Sequence, residues 1–310
     1  MIDTASALAA LGLPVGLLIL AALAAVLSSV LSARTAGAPM RAAALGPFAE
    51  SARMLRQQRR TLAGADSLLW RIGGAGLLVV AALQVIVVPL GGVVAADLSI
   101  GVVWFNTMDV LLWALWWLLG WGANSAWSLV GGYRFLGQAL AYELPLMFAL
   151  TGPAIAAGSL RMTDVVAAQQ ALWNVALMPA AFLVYVVSVV AFTAWTPFAT
   201  PAGRDAAGGV LAELSGPDRL VVLAGRYALL ISGAAVAVPL FLGGGAGPLL
   251  PAAVWVLLKT AALTAAFVLL GRLLPAIRPE RANEVAWAVI LPLVLLQLLV
   301  VAVLAAVGRG

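Results

Sequence analysis

Three charged residues sit in stretches so apolar that each needs a reason to be there: Asp109, Glu143 and Lys259. Asp109 closes the run Trp104-Phe105-Asn106-Thr107-Met108-Asp109 and is followed by Trp113, Trp116 and Trp117. An ionised carboxylate in hydrocarbon is so costly that it must face a protein interior, meet a cation or water, or take up a proton. Glu143 lies nine residues past Arg134. On one helix that is about 13 Å, which puts the acid near the middle of a hydrocarbon layer roughly 30 Å thick. Tyr142 precedes it, and Pro145 has no backbone proton and crowds the carbonyl of Ala141, so a kink that admits water is expected beside the acid. Lys259 falls in Val254-Trp255-Val256-Leu257-Leu258-Lys259-Thr260, eight residues after Pro251. Two chemistries fit these three groups. One is an internal ion pair of Lys259 with Asp109 or Glu143 that locks the packing, and the other is a set of coupled proton-relay sites whose charges respond to one another.

The elements that hold such groups must be membrane helices. Of 310 residues, 64% are hydrophobic and 9% are charged, against roughly a quarter charged in a soluble domain, so a water-soluble fold is excluded. The chain has no cysteine and no histidine, so its own side chains supply no haem, iron–sulfur or conventional zinc ligation and any redox centre belongs to a partner. A net charge of +5 invites a nucleic-acid reading, but 17 basic residues scattered among apolar spans make no phosphate-tracking face. The glycine pairs and the run Gly243 to Gly245 lack the strand, lysine and phosphate context of a nucleotide loop and read as turns or close packing.

Uncharged stretches over 4–33, 72–96, 110–133, 165–203, 227–258 and 285–308 fix the map. A crossing takes about 20 residues, so the longer ones must contain turns. The expectation is an all-α polytopic membrane protein, one domain over 1–310, with eight helices near 11–31, 69–90, 98–120, 134–157, 175–194, 220–242, 251–272 and 285–307. The first lacks the basic leader and cleavage pattern of a removable signal peptide and is expected to remain.

Basic residues orient the bundle. Arg34, Arg41, Arg53, Arg56, Arg59 and Arg60 follow the first helix, Arg204 and Arg219 the fifth, and Arg272, Arg278 and Arg281 the seventh, while Arg161 and Arg309 oppose the bias. The chain is therefore expected in a bacterial cytoplasmic membrane with both termini on the outer side. In the first basic loop Leu45, Phe48, Ala52 and Leu55 share a face, which predicts a cytoplasmic-side amphipathic helix along the surface. That helix is either a basic anchor or a dock for a peripheral subunit or a mobile ligand's headgroup. Arg226, near the start of the sixth helix, is expected to snorkel to water. Asp205, Glu213 and Asp218 share a loop with Arg204 and Arg219, a polar surface suited to a soluble subunit or a cavity mouth. The tryptophans between Trp104 and Trp127 read mainly as packing and interfacial anchoring.

Three ordered motifs carry a resemblance. They are Gly131-Gly132-Tyr133-Arg134-Phe135-Leu136-Gly137-Gln138-Ala139-Leu140-Ala141-Tyr142-Glu143; Ala157-Gly158-Ser159-Leu160-Arg161-Met162-Thr163-Asp164 with Gln169 and Trp173-Asn174; and Trp255 to Thr260 with Gly271-Arg272-Leu273-Leu274-Pro275-Ala276-Ile277-Arg278-Pro279-Glu280. In this order, over almost the whole chain, they resemble the ND1-type membrane subunit of respiratory complex I, the H subunit of bacterial NADH-quinone oxidoreductase, which is related to a subunit of energy-converting hydrogenases.

The resemblance implies a non-redox membrane subunit of a proton-translocating oxidoreductase, not catalytic alone, at the junction of peripheral and membrane arms. It implies partner membrane and peripheral subunits, an iron–sulfur protein, lipid, and a quinone at an interface between subunits, with no metal and no nucleic acid on this chain. Glu143, Asp109, Lys259 and Glu213 become relay or coupling candidates, and Arg34, Arg41, Phe48, Arg134 and Arg226 become quinone-entrance or docking candidates. The sequence departs from the family at Pro197-Phe198-Ala199-Thr200-Pro201-Ala202-Gly203-Arg204-Asp205, where the family carries an acidic loop, and at Gly225-Arg226-Tyr227, where it often has Glu. Those departures point to a divergent paralogue. They keep open a hydrogenase-like or ferredoxin-linked complex, or an anchor with weakened quinone and proton function.

Overall fold

The computed structural model describes residues 3–4, 7–60, 62–204 and 206–308; Asp205 and Arg309 lie outside them. Twelve helices occur among the described residues: α1 (Ala7–Ala36), α2 (Met40–Arg56), α3 (Ser67–Val85), α4 (Gly101–Trp121), α5 (Ala126–Ala157), α6 (Met162–Ala168), α7 (Asn174–Leu177), α8 (Pro179–Phe192), α9 (Gly216–Phe241), α10 (Ala252–Leu273), α11 (Pro279–Val285) and α12 (Leu291–Val307). The strand content is a two-residue parallel pairing of Asp3–Thr4 with Val93–Val94.

Among the described residues seven helices are long and apolar enough to cross a membrane, the last of them running continuously from Pro279 to Val307. The segment expected over 175–194 is different. It breaks into α7 and the 14-residue α8, because Pro179 has no N–H to give and drives Met178 out of the helical region, to φ −135° and ψ 63°. Fourteen residues rise about 21 Å, short of a full crossing by length alone. Two starts also come early. α5 begins at Ala126 and runs through Gly131 and Gly132, which lie close to the backbone of Gly209–Val210 and of Gly120, and α11 extends the last span back to Pro279. A π turn over Ala286–Ile290 joins α11 to α12. Pro292 removes one i→i−4 bond there and its ring crowds the carbonyl of Ala288, which a widened turn relieves.

α9 is the central helix, walled by α1, α3, α8 and α10, and Ala228 to Phe241 is buried almost without interruption. A helix apolar all round belongs in such a position. Asp66 caps α3, its carboxylate accepting from the N–H of Leu68 and Leu69 at 3.1 and 3.0 Å. α2 lies against α1 and α9 with Met54 as its buried anchor, while Leu45, Phe48 and Leu55 are exposed. The apolar face of α2 is turned outward.

At the end of the bundle opposite the basic loops, Arg161 donates to Asp97 at 2.8 Å, and Thr163 donates to the same carboxylate at 3.0 Å. Asp97 raises the Arg161 guanidinium's affinity for its proton through this hydrogen bond and its charge. Arg161, which opposes the charge bias, therefore stands beside its own counter-ion.

Candidate functional site

α4 and α5 bring the two midhelix acids together. These helices touch backbone to backbone where Gly120 meets Gly132: a Cβ on Gly120 would stand 2.9 Å from the Cα of Gly132 and from the carbonyl oxygen of Ser128. That closeness sets Asp109, fully buried, beside Glu143, which is 8% exposed. Glu143 Oε1 accepts from Asn106 Nδ2 at 3.2 Å. No N–H or O–H of the described residues meets Asp109 Oδ1 or Oδ2, or Glu143 Oε2, in hydrogen-bonding geometry. The two carboxyls also stand close enough to act on one another. Two carboxyls can bond only with a hydrogen on one of them.

Aromatic polar groups complete the chamber. The Trp113 indole lies beside Glu143 and the Tyr142 hydroxyl. Tyr185 on α8 is near enough to Asp109 to feel its charge, and its hydroxyl donates to the Gly233 carbonyl of α9 at 2.8 Å. Four helices thus enclose a polar chamber holding two carboxyls and two phenols. Sequence reasoning missed Trp113 and Tyr185: the first was one indole in a run suited to packing, and the second had no cue beyond being polar within α8.

Lys259 does not join this chamber. Of the two alternatives, the ion pair with Asp109 or Glu143 is not made: the lysine's three donors go to the carbonyls of Leu242, Gly244 and Ala246 at 2.7, 2.9 and 2.8 Å. Its ammonium also sits over the Trp173 ring, 4.2 Å from the centroid. The last carbonyls of a helix have no intrahelical partner, and a cation there also opposes the helix dipole. The same helix end is served by Gln169, which donates to Pro239 O at 2.7 Å, and by Asn174, which donates to Leu240 O at 2.8 Å. Side chains from three segments therefore cap α9, and the motif around Gln169, Trp173 and Asn174 acquires a structural purpose.

Arg226 is a second correction. It does not snorkel: it is buried, its Nε donates to Thr193 O at 3.2 Å, its Nη2 donates to Ala194 O, and it stacks on Trp195 at 5.0 Å. It does for the end of α8 what Lys259 does for α9. Ala194 adopts φ +51° there, so the chain leaves the helix with carbonyls turned toward the guanidinium.

Glu213 stands apart from the acid pair. Its carboxylate accepts from Arg60 at 2.8 Å and from Ser125 Oγ at 2.9 Å, and Asp218 in the first turn of α9 meets Arg59 at 3.4 Å, so both acids are tied to the segment after α2. Arg34 and Arg41 flank the α1–α2 turn and are exposed. Phe48 stands at the rim of a cleft of about 430 Å3 between α1, α2 and α9, with Met54, Tyr227 and Arg272 on its walls. Arg272 is held by Ser28, donating to its carbonyl at 2.7 Å and its Oγ at 2.9 Å. Arg134 donates to Gly208 O at 3.0 Å and faces a separate cleft. Trp116 stacks on Phe135 at 4.7 Å, in keeping with the packing role of the tryptophan run. Among the described residues no cluster of three Asp, Glu, His or Cys side chains could hold a metal ion.

The protein family described as NADH dehydrogenase matches residues 8–302 of this chain. An NADH-quinone oxidoreductase H subunit of Cereibacter sphaeroides, the second of that name there, is 37% identical over 281 residues, 86% of each chain. The corresponding second H subunit of Geobacter sulfurreducens is 34% identical over 267 residues, 83% of this chain and 81% of the relative. The first H subunit of Geobacter metallireducens is 32% identical over the same length, with the same coverage.

Proposed function

The chain belongs to the NADH dehydrogenase family, and on that premise we propose that it couples quinone reduction in a multi-subunit oxidoreductase to proton movement through the Asp109–Glu143 pair. Its family makes it a multi-pass membrane subunit of that complex. The observation that carries the coupling proposal is the burial of two carboxyls side by side with no counter-ion among the described residues, since the candidates Lys259 and Arg226 are committed to backbone carbonyls. A pair that shares one hydrogen gains or loses it according to the charge of its surroundings, and a change of charge at a neighbouring quinone is such a signal.

The remaining assignments follow the same reading. The whole chain works as one domain, with α8 and its α7 extension as an eighth crossing and the basic loops on the cytoplasmic side of a bacterial inner membrane, so that both termini lie outside. The cleft between α1, α2 and α9 admits the quinone, with Phe48 at its rim and Arg34 and Arg41 nearby. The Arg59–Arg60 segment, braced by Asp218 and Glu213, faces the peripheral iron–sulfur partner. Lys259 and Arg226 hold the chain at the ends of α9 and α8 and take no part in the proton transfer.

The experiment is Glu143→Gln in the assembled complex reconstituted into vesicles. It preserves shape and removes the acid, so protons moved per electron should fall while the subunits still copurify. Unchanged coupling with intact assembly refutes the proposal.

A second reading is favoured by one observation: Asp205 is the one acid from 197 to 212, and Glu213 and Asp218 beyond it are engaged by arginines. A complex with a different electron donor, hydrogenase-like or ferredoxin-linked, would need less negative charge there. Identification of the redox proteins that copurify with the chain separates the two readings.

A further inference from the structure

Beside the acid chamber, on the side away from the α1–α2 cleft, a second cavity of about 310 Å3 opens between α5, α8 and the α11–π turn segment. Its inner wall is Tyr142, Pro145 and Val184, and its outer wall is Val285 and Ile290. These walls run from Ile277 to Ile290, about 20 Å at helical rise. Ile277 also lines a neighbouring cleft of about 620 Å3 at the basic end of the bundle. That cleft carries Arg134 and Arg278, with Glu280 as an acid on the same wall. Among the described residues no carboxylate pairs with either arginine, and Arg281, on the rim of the slot, meets Glu284 at 3.6 Å with both side chains exposed.

An apolar slot opening under a pair of uncompensated guanidiniums has the amphipathic chemistry of one class of ligand. We propose that this is a binding site for an anionic phospholipid, with its phosphate between Arg134 and Arg278 and one acyl chain in the slot against Tyr142. Basic pockets between helices on the cytoplasmic side of a membrane select acidic headgroups in this way. A helix from a neighbouring subunit would fill the slot without using the guanidiniums, and a neutral lipid would leave them uncompensated. The bound chain would seal the outer wall of the chamber, keeping water away from Tyr142 and Glu143 on the side facing α11.

The test uses the intact purified complex in vesicles containing either phosphatidylglycerol or phosphatidylcholine with a photoreactive group midway along one acyl chain. Cross-linked peptides are mapped by mass spectrometry. Phosphatidylglycerol should label the 184–191 and 282–290 segments, unlabelled phosphatidylglycerol should compete, and phosphatidylcholine should label them far less. Replacing Arg134 and Arg278 together by Gln should lower the labelling by roughly thirtyfold, as expected for two lost arginine–headgroup attractions. Ala282→Trp, which fills the slot and leaves the charges alone, should abolish labelling of 184–191. Equal labelling by both lipids, or labelling indifferent to the paired arginine change, overturns the proposal. So does a helix of another polypeptide cross-linked in the slot.

Discussion

Asp109 on α4 and Glu143 on α5 stand beside one another inside the protein, each close enough to act on the other's carboxyl, with no basic side chain among the described residues paired to either. Buried carboxylates are ordinarily matched by a cation or several donors. The available cations lie elsewhere, at the ends of α8 and α9, where they satisfy backbone carbonyls. Within the bundle, Arg226 and Lys259 satisfy carbonyls at and beyond helix ends, and Asp109 and Glu143 are left to one another.

Lys259→Met should act on stability. It removes three charge-assisted hydrogen bonds and leaves three carbonyls without a partner, at a cost of roughly 2–4 kcal/mol. Thermal unfolding of the purified complex should shift downward, and surviving assemblies should keep their proton-to-electron ratio. A loss of coupling at unchanged thermal stability would assign the lysine to the relay instead.

Arg226→Met should lower the yield of folded subunit, because the guanidinium is buried against Thr193 and Ala194 and its removal strands their carbonyls at about 1–3 kcal/mol each. Arg226→Lys should recover part of the yield, since an ammonium can donate but cannot stack on Trp195 in the same way. Equal yields for wild type and Arg226→Met, measured by detergent-extracted fluorescence size exclusion, would contradict the capping role.

Gly120→Ala should disturb the acid pair from a distance. The added methyl would meet the Gly132 backbone at 2.9 Å, so α4 must move from α5 at a cost of roughly 1–3 kcal/mol. The expected outcome is an assembled complex with reduced coupling; a variant indistinguishable from wild type in both thermal stability and protons per electron would show that the close crossing does not set the pair.

Much of the fold was legible because lipid imposes a simple rule: long uncharged runs must be helices, and arginines mark one end of them. The rule failed at 175–194, where Pro179 splits a run that is apolar enough for one helix, and at Gly131-Gly132, where glycines inside a helix serve close packing. For the site, depth alone picked out Asp109 and Glu143, since a midhelix acid is expensive wherever it points. The fate of the cations was not legible, because the groups they bind are backbone carbonyls, which every residue carries and no side-chain pattern reports. Lys259 looked like a counter-ion for that reason, and Arg226 looked like a residue reaching for water. Tyr185 entered the chamber through the packing of α8 on α5 and α9, which spacing along one helix could not reveal.

The central claim, that Asp109 and Glu143 exchange a proton when the quinone changes charge, is tested most directly by redox-induced infrared difference spectroscopy of the complex in the carboxylic C=O region. A difference band that shifts in heavy water and disappears in both Asp109→Asn and Glu143→Gln is the predicted result. An identical difference spectrum in wild type and both variants would contradict it.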